Sequence, residues 1–303
     1  MGEVFYWVFN MSIAASIAGV FVLLLRKIKK LPRRVAAFLW LIPFLRAVLP
    51  FGISGKYSLM SLISGFAAKT VVIYEVREIP FVTYMNYAQS AKSYFPVEYK
   101  TNVLEKLFEV SFFVWICGFL AFLIAFVSIY LTTVKELSDS EHFEKNVYFS
   151  KKIDSPAVYG VFRPKIILPY SAKKLDLTYV LLHERAHMKR RDNLKRIIAF
   201  LTVFIHWFNP LSWLFLKSFL SDIELACDEK VLLQCGEENR GKYAAALLDF
   251  KENTSVFASA FGGAKVRTRI GHILSYKKMS ALSLFFFVVL CGLIFYFLLT
   301  NAV

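Results

Sequence analysis

Residues 178–196 read TYVLLHERAHMKRRDNLKR and contain the pattern H-E-x-x-H, beginning at position 183. Residues four apart lie on the same face of an α-helix, so His183 and His187 can bind one metal ion together. Glu184 lies about 100° around the same helix and is offset from the two imidazoles. Its carboxylate is therefore better placed to take a proton from the attacking water than to bind the metal.

A catalytic zinc ion takes three protein ligands and keeps one position open, so a third ligand must come from another segment. Residues 221–232 read SDIELACDEKVL, in which Glu224 and Asp228 are also four apart. We expect Glu224 to be the third ligand, and Asp228 to accept the remaining N–H of one histidine and fix its tautomer. His206 and Cys227 are alternative ligands, although both residue types are common in packed interiors. An exposed acidic helix is the other interpretation of this segment.

Four segments, HERAH, KRRD, HWFNPLSW and ELACDEKVL, follow one another in this order. Together they resemble the membrane metallopeptidases of the BlaR/MecR antirepressor family, the bacterial transducers of β-lactam signals, and the resemblance extends over most of the chain. It implies a gluzincin-like peptidase with one Zn²⁺ ion bound by His183, His187 and Glu224. Glu184 would be the catalytic base, and Asp228 would orient a ligand. The substrate implied by the resemblance is a cytoplasmic transcriptional repressor.

The composition is that of an integral membrane protein. Hydrophobic residues make up 57% of the 303 residues, and the mean hydropathy is +0.52, which exceeds the values of ordinary soluble domains. The net charge is +15, but the basic residues lie beside apolar segments. This pattern indicates contact with lipid head groups rather than with nucleic acid. The four cysteines give no disulfide framework.

Four apolar stretches are predicted to cross the bilayer, at residues 4–25, 35–53, 108–131 and 280–299. The basic loop after the first stretch predicts that this loop is cytoplasmic, so both termini lie outside a bacterial plasma membrane. Residues 1–131 then form an N-terminal membrane region with an outer loop at 54–107. Residues 132–279 form a cytoplasmic α+β zinc metallopeptidase domain, and residues 280–303 form a C-terminal transmembrane helix.

Residues 197–220 are apolar enough for a further span, but one crossing would place the two halves of the metal site on opposite sides of the membrane. The turn signal Asn209-Pro210 instead predicts a helical hairpin that dips into the inner leaflet. A straight hairpin would leave the two halves about 12 Å out of register at 1.5 Å per residue. We therefore expect a bend at residues 190–193 or 218–221.

The apolar neighbours of several basic residues predict where these residues lie relative to the membrane. Arg46, within the second predicted span, either pairs with a group inside the helix bundle or lies at the outer interface. One cluster is predicted at the level of the lipid phosphates and contains Lys189, Arg190, Arg191, Lys195 and Arg196. A second cluster is predicted to mark the inner boundary of the last span and contains Lys265, Arg267, Arg269, Lys277 and Lys278.

Residues 146–153 and 157–168 are rich in Val, Ile, Tyr and Phe and are interrupted by prolines, which predicts a small antiparallel sheet. Residues 157–162 are predicted as an edge strand that pairs with an extended substrate. The residues expected at this contact are Val158, Tyr159, Gly160 and Val161. The alternative is a sheet that only packs against the metal helix.

In the receptors of the family, a penicillin-binding sensor follows the fourth span, whereas this sequence ends at Val303. This departure from the family pattern argues against direct β-lactam sensing. A signal would enter through the outer loop, the spans, a second copy of the chain or a separate sensor protein. The polar residues 253–263 form an expected connecting loop, which is also where self-cleavage would occur if this chain shares it with the family.

Two other functions fit the same residues. A membrane quality-control endopeptidase of the HtpX type shares the H-E-x-x-H and E-x-x-x-D patterns, and a non-catalytic signalling scaffold would use the metal only structurally. A Glu184→Gln variant separates the scaffold from either peptidase, because only a peptidase loses its output.

Overall fold

The computed structural model describes residues 2–28, 31–49, 102–248, 264–277 and 280–300. Most of the predicted outer loop and the predicted connecting loop at 253–263 lie outside these residues. The α-helices are α1 (Gly2–Arg26), α2 (Arg33–Leu39), α3 (Leu41–Val48), α4 (Asn102–Glu136), α5 (Thr178–Arg190), α6 (Asp192–Ile205), α7 (Pro210–Cys235), α8 (Arg240–Leu248), α9 (Val266–Ser275) and α10 (Ala281–Leu299). The strands are β1 (Glu141–Glu144), β2 (Val147–Ser150), β3 (Ala157–Tyr159) and β4 (Lys165–Pro169).

Two of the described helices are long and apolar enough to cross a bilayer, namely α1 and a stretch containing most of α4. In α4, only 6% of the most apolar 18-residue window is buried inside the protein, compared with 50% in α1. The last helix, α10, contributes a shorter apolar stretch, Phe285–Leu299. The prediction of four spans is therefore not confirmed.

The second predicted span is two short helices rather than one, because α2 ends at Leu39 and α3 begins at Leu41. Pro43 has no N–H to donate to the carbonyl of Leu39, which accounts for the break at Trp40. Arg46 is 2% exposed and donates to the carbonyl oxygen of Leu298 at 3.0 Å. The arginine therefore pairs inside the helix bundle, the first of the two predicted alternatives.

The sheet has four strands in the order β1-β2-β4-β3. The prediction of a purely antiparallel sheet was wrong, because β2 and β4 are parallel and β3 crosses to the far side of β4. β3 is an edge strand, but it ends at Tyr159, so Gly160 and Val161 follow the strand instead of belonging to it. Gly160 has a φ of 89°, which stops a regular strand there.

The chain turns sharply between α5 and α6 at Arg191, which has a left-handed φ of 53°. This turn lies in the first of the two predicted bend regions, whereas α7 runs without interruption through residues 218–221. At the next turn, Asn209 caps α7 by accepting from the Leu211 N–H at 3.0 Å. The relation of these helices to a membrane remains a prediction.

Helix α7 is the element that joins the parts of the molecule. It contacts α2, α5, α6 and α9. Its N-terminal half contributes Phe215, Phe219 and Ile223 to a core shared with α1, α2, α6 and α10. Its C-terminal half packs Cys227 and Val231 against α5, α8 and α9. The helix thus connects the apolar bundle to the segment with the H-E-x-x-H pattern.

Candidate metal centre

Helices α5 and α7 bring the predicted ligands together. On α5, His183 and His187 are 4% and 6% exposed, and their Nε2 atoms are 3.1 Å apart. On α7, Glu224 places Oε2 3.6 Å from His183 Nε2 and Oε1 3.6 Å from His187 Nε2. His206 takes no part in this group, because it is buried and its Nε2 lies 2.9 Å from the carbonyl oxygen of Ala47.

Each imidazole is held by an acceptor at its other nitrogen. Asp192, at the start of α6, places Oδ2 2.9 Å from His187 Nδ1. The hydroxyl of Tyr243, from α8, lies 2.9 Å from His183 Nδ1 and donates to Asp228 Oδ1 at 2.6 Å. These partners favour the tautomer with the proton on Nδ1, in which each Nε2 can bind a metal ion. Nη2 of Arg269 on α9 also lies 3.1 Å from His183 Nε2.

Asp228 lies beside His183 but is not its nearest partner. Its Oδ1 is 3.3 Å from His183 Nδ1, whereas the Tyr243 hydroxyl is closer. Arg269 on α9 donates to both carboxylate oxygens of Asp228, from Nε at 3.0 Å and from Nη2 at 2.7 Å. Asp228 therefore orients the histidine mainly through the tyrosine hydroxyl.

The charges around the site favour ionised carboxylates. Burial alone would raise the pKa of the Asp228 carboxyl, but the Arg269 guanidinium and the His183 imidazole hold it well below its ordinary value. Burial also opposes ionisation of Glu224, whose pKa is nevertheless held well below its ordinary value by the two imidazoles and Arg196. Both side chains are therefore negatively charged at neutral pH.

Glu224 lies between two guanidinium groups. Arg196 Nη2 on α6 donates to Oε1, the oxygen near His187. Arg269 Nη1 is 3.7 Å from Oε2, the oxygen near His183. Arg196 and Arg269 thus both contact carboxylates of the site. The position of Arg196 at the level of the lipid phosphates stays a prediction. The interpretation of α7 as an exposed acidic helix was wrong.

Cys227 lies close enough to the histidines to be an alternative ligand. Its Sγ and one nitrogen of each histidine all lie within 4.8 Å of one another. Burial raises the pKa of this thiol and the two imidazoles lower it, to about 7. Its Sγ also donates to the carbonyl oxygen of His183 at 3.4 Å, and the side chain is completely buried.

Glu184 and the predicted edge strand lie near each other. Glu184 is 6% exposed. Burial raises the pKa of the Tyr159 hydroxyl on β3, and the nearby Glu184 carboxylate raises it further, so this phenol remains protonated. Asn193 Nδ2 on α6 donates to the carbonyl oxygens of Val158 and Gly160 at 2.9 and 3.0 Å. These two carbonyls of the edge are thus already bonded within the protein.

The residues present fit a divalent metal ion. Two nitrogens bound to one tetrahedral zinc ion at 2.0–2.1 Å lie about 3.3 Å apart, and the two Nε2 atoms are 3.1 Å apart. A set of two imidazoles and one carboxylate is also a donor set found in catalytic zinc sites.

Sequence reasoning missed four residues that surround the ligands: Asp192, Arg196, Tyr243 and Arg269. Asp192 follows His187 by five residues, and this short spacing beyond the turn at Arg191 was the only local signal. Tyr243 and Arg269 come from α8 and α9, which are far along the chain. Their roles depend on helix packing that no spacing in the sequence encodes.

Comparison with known proteins agrees with this chemistry. Residues 6–272 match the model of the family described as BlaR1 peptidase M56. The chain is 31% identical over 208 residues to "Regulatory protein BlaR1" of Bacillus licheniformis, which covers 58% of this chain and 35% of that protein. It is 30% identical over 162 residues to the protein of the same name from Staphylococcus aureus, which covers 48% and 28%.

A further relative is the "Methicillin resistance mecR1 protein" of Staphylococcus aureus strain Mu50, with 26% identity over 117 residues, 37% of this chain and 20% of that protein. The matches thus span at most 35% of the length of these three relatives. The family model, by contrast, covers residues 6–272, which is most of the 303 residues. The chain therefore belongs to the BlaR1 peptidase M56 family, a family of metallopeptidases.

Proposed function

We propose that this protein is a membrane-embedded zinc endopeptidase that transmits a signal by cleaving another protein. The proposal rests on the Nε2 atoms of His183 and His187, which lie 3.1 Å apart. A different carboxylate oxygen of Glu224 lies 3.6 Å from each of them. Glu184 lies on the same helix as both histidines. This arrangement combines a metal-binding group with a general base, as peptide hydrolysis requires.

His183, His187 and Glu224 are the proposed ligands. A bound zinc ion would polarise the substrate carbonyl and lower the pKa of the attacking water. Glu224 is favoured over Cys227 because its side chain is 12% exposed and it faces both Nε2 atoms. The completely buried thiol of Cys227 already donates to a backbone carbonyl.

Glu184 is the proposed general base. Its carboxylate takes a proton from the attacking water and then delivers it to the nitrogen of the leaving amine. Asp192 holds His187 in place through Nδ1, and Tyr243 together with Asp228 holds His183. The two imidazoles therefore keep the tautomer and orientation that metal binding needs.

The edge of the sheet is the proposed binding surface for the substrate backbone. Val158 and Tyr159 belong to the edge strand, and Gly160 and Val161 continue beyond it. Because Asn193 already bonds two carbonyls there, the backbone N–H groups of this edge are the proposed contacts with substrate. Tyr159 lies near Glu184, so a bound peptide would pass close to the general base.

A bacterial plasma membrane is the proposed location. Only 6% of the most apolar window of α4 is buried by the rest of the described chain, and exposed apolar surface is unfavourable in water and favourable in lipid. The topology proposed is the multi-pass one, with both termini outside and the metal site in the cytoplasm. A cytoplasmic transcriptional repressor is the proposed substrate by resemblance to the family, with a second copy or a sensor protein as possible upstream partners.

The test compares protein N-termini in cells that express the wild-type chain or Glu184→Gln. We expect new N-termini on a small number of cytoplasmic proteins, which disappear in the variant while zinc remains bound. The matched control is Arg185→Ala, since Arg185 is the exposed neighbour of Glu184 on α5. Unchanged cellular signalling with Glu184→Gln would instead indicate a scaffold, and many cleaved misfolded membrane proteins would indicate quality control.

A further inference from the structure

The two arginines on either side of Glu224 differ in how fully their donors are used. Arg269 binds Asp228 through Nε and Nη2, and its side chain is 12% exposed. Arg196 contacts Glu224 through Nη2 only, and its side chain is 30% exposed. Arg269 is therefore anchored within the protein, whereas Arg196 is the more exposed of the two.

Arg196 also has a donor without an acceptor. Its Nε is buried and has no hydrogen-bond partner among the described residues. A buried N–H without an acceptor is unfavourable, so such groups in native proteins call for an explanation. Because this Nε has almost no accessible surface, a substrate oxygen would meet the outer nitrogens of the same guanidinium, whose side chain is 30% exposed.

Arg196 lies beside the proposed metal centre. Its partner, Glu224 Oε1, is 3.6 Å from His187 Nε2, so the guanidinium borders the metal centre on the side of His187. The guanidinium keeps its positive charge at every physiological pH. A fixed cation stabilises an oxyanion more than a neutral carbonyl oxygen.

We propose that Arg196 donates a hydrogen bond to the carbonyl oxygen of the peptide bond under attack and stabilises the negative charge that develops there. This inference rests on the proposed peptidase function. As water adds to the carbonyl carbon, the carbon–oxygen π electrons move to that oxygen, and Arg196 binds the resulting oxyanion. When the tetrahedral species breaks down, the carbon–nitrogen bond cleaves and the amine leaves with the proton from Glu184.

A second role for Arg196 must be separated from this one. Because Arg196 contacts a proposed ligand, it could act only by holding Glu224 in place for the metal. A residue that only positions a ligand changes metal affinity, typically by about 10–100-fold. A residue that stabilises the oxyanion changes kcat and leaves metal affinity and KM nearly unchanged.

The experiment uses the full-length chain in detergent, loaded with zinc, with Arg196→Ala, Arg196→Lys and the exposed control Arg185→Ala. Zinc affinity is measured by competition with a chromogenic chelator, and kcat and KM are measured on β-casein. Binding of phosphoramidon, whose phosphoramidate group resembles a tetrahedral oxyanion, is measured by calorimetry. Zinc binding by each variant also shows that it is folded.

For Arg196→Ala, we expect kcat to fall by about 10²–10³-fold, with KM and zinc affinity within about threefold of wild type. Phosphoramidon affinity should fall by a similar factor to kcat, because it depends on the same oxyanion contact. Arg196→Lys should be intermediate, since an ammonium donates but lacks the planar fork. Arg185→Ala should match the wild type.

Two results would overturn the inference. If Arg196→Ala lowers zinc affinity by about tenfold or more and excess zinc restores kcat, the residue only positions Glu224. If kcat and phosphoramidon affinity are unchanged, Arg196 does not contact the oxyanion, while the peptidase function still stands. If the wild-type chain cleaves neither β-casein nor any cellular protein in a Glu184-dependent way, the proposed function fails and this inference fails with it.

Discussion

Helix α7 carries acidic residues on two opposite faces, and the residues of each face have different partners. Glu224 and Asp228 face the histidines, whereas Asp222 and Glu229 lie about 140–160° around the helix from Glu224. Asp222 accepts from Arg26 Nε at 2.7 Å and from Trp40 Nε1 at 2.9 Å. The first face is arranged around a metal-binding group, and the second attaches α7 to the N-terminal helices.

The second face is fully paired within the chain. Glu229 accepts from the backbone N–H groups of Arg33 and Arg34 at 2.8 and 3.2 Å, at the first turn of α2. Its Oε1 is also 3.5 Å from His272 Nε2 on α9. Helix α9 thus contacts both faces, since Arg269 reaches Asp228 from the same helix. Carboxylates on one helix can therefore serve either metal binding or the stability of the fold, depending on which donors contact them.

The largest expected effect is on zinc affinity and concerns the metal face of α7, which carries Glu224 and Asp228. Glu224→Ala should lower zinc affinity by more than the roughly 10–100-fold expected for a residue that only supports a ligand, because it removes a ligand itself. Cys227→Ala should leave the affinity within about threefold on the same reasoning. Chelator competition on both variants measures the difference. The reverse order of effects would make Cys227 the third ligand and would remove the proposed division between the faces.

The next effect is on the stability of the fold and concerns the opposite face of α7, which carries Asp222 and Glu229. Asp222→Asn should destabilise the folded chain by about 3 kcal/mol, because it leaves Arg26 and Arg33 without a charged partner. This is the lower end of the usual range, since those two side chains remain 26% and 24% exposed. Zinc affinity of the folded protein should not change. Denaturant titration in detergent and chelator competition test the two statements separately.

Trp40→Phe is the graded control for Asp222→Asn, because it removes one hydrogen bond to the same carboxylate and keeps the carboxylate charge. Its cost should be about 1.5–2 kcal/mol, near the lower end for hydrogen bonds to charged groups. An Asp222→Asn variant as stable as the wild type, or one that binds zinc much more weakly, would show that the two faces are not independent.

The metal face was predictable from sequence because its signals are local. The spacing of His183 and His187, and that of Glu224 and Asp228, are single-helix relations that hold wherever the helices lie. The bend at Arg191 was also predictable, because the two halves of the site could not meet without one. Zinc itself and the roles of these residues remain predictions.

The opposite face was not predictable for a physical reason. Arg26, Arg33 and Arg34 were interpreted as a cytoplasmic topology signal, and basic residues beside an apolar helix give that pattern whether they bind lipid or protein. Their contacts with α7 lie 195–196 residues away in the chain. The contacts of Arg196 and Arg269 with carboxylates of the site were missed for the same reason. The parallel pairing of β2 and β4 likewise depends on a crossover that strand composition does not reveal.

The smallest expected effect is the stability cost of a substitution at Glu229, which is compared with one at its neighbour Asp228. Glu229→Gln should cost about 1 kcal/mol of stability, because one backbone N–H of α2 then faces an amide NH₂ instead of an oxygen. It should leave zinc affinity unchanged. The adjacent Asp228→Asn should instead lower zinc affinity by about 10–100-fold, because Tyr243 and His183 lose the charge that orients them. Equal effects of the two substitutions on zinc affinity would mean that α7 responds as one unit, so that the attachment to the N-terminal helices and the metal site are coupled.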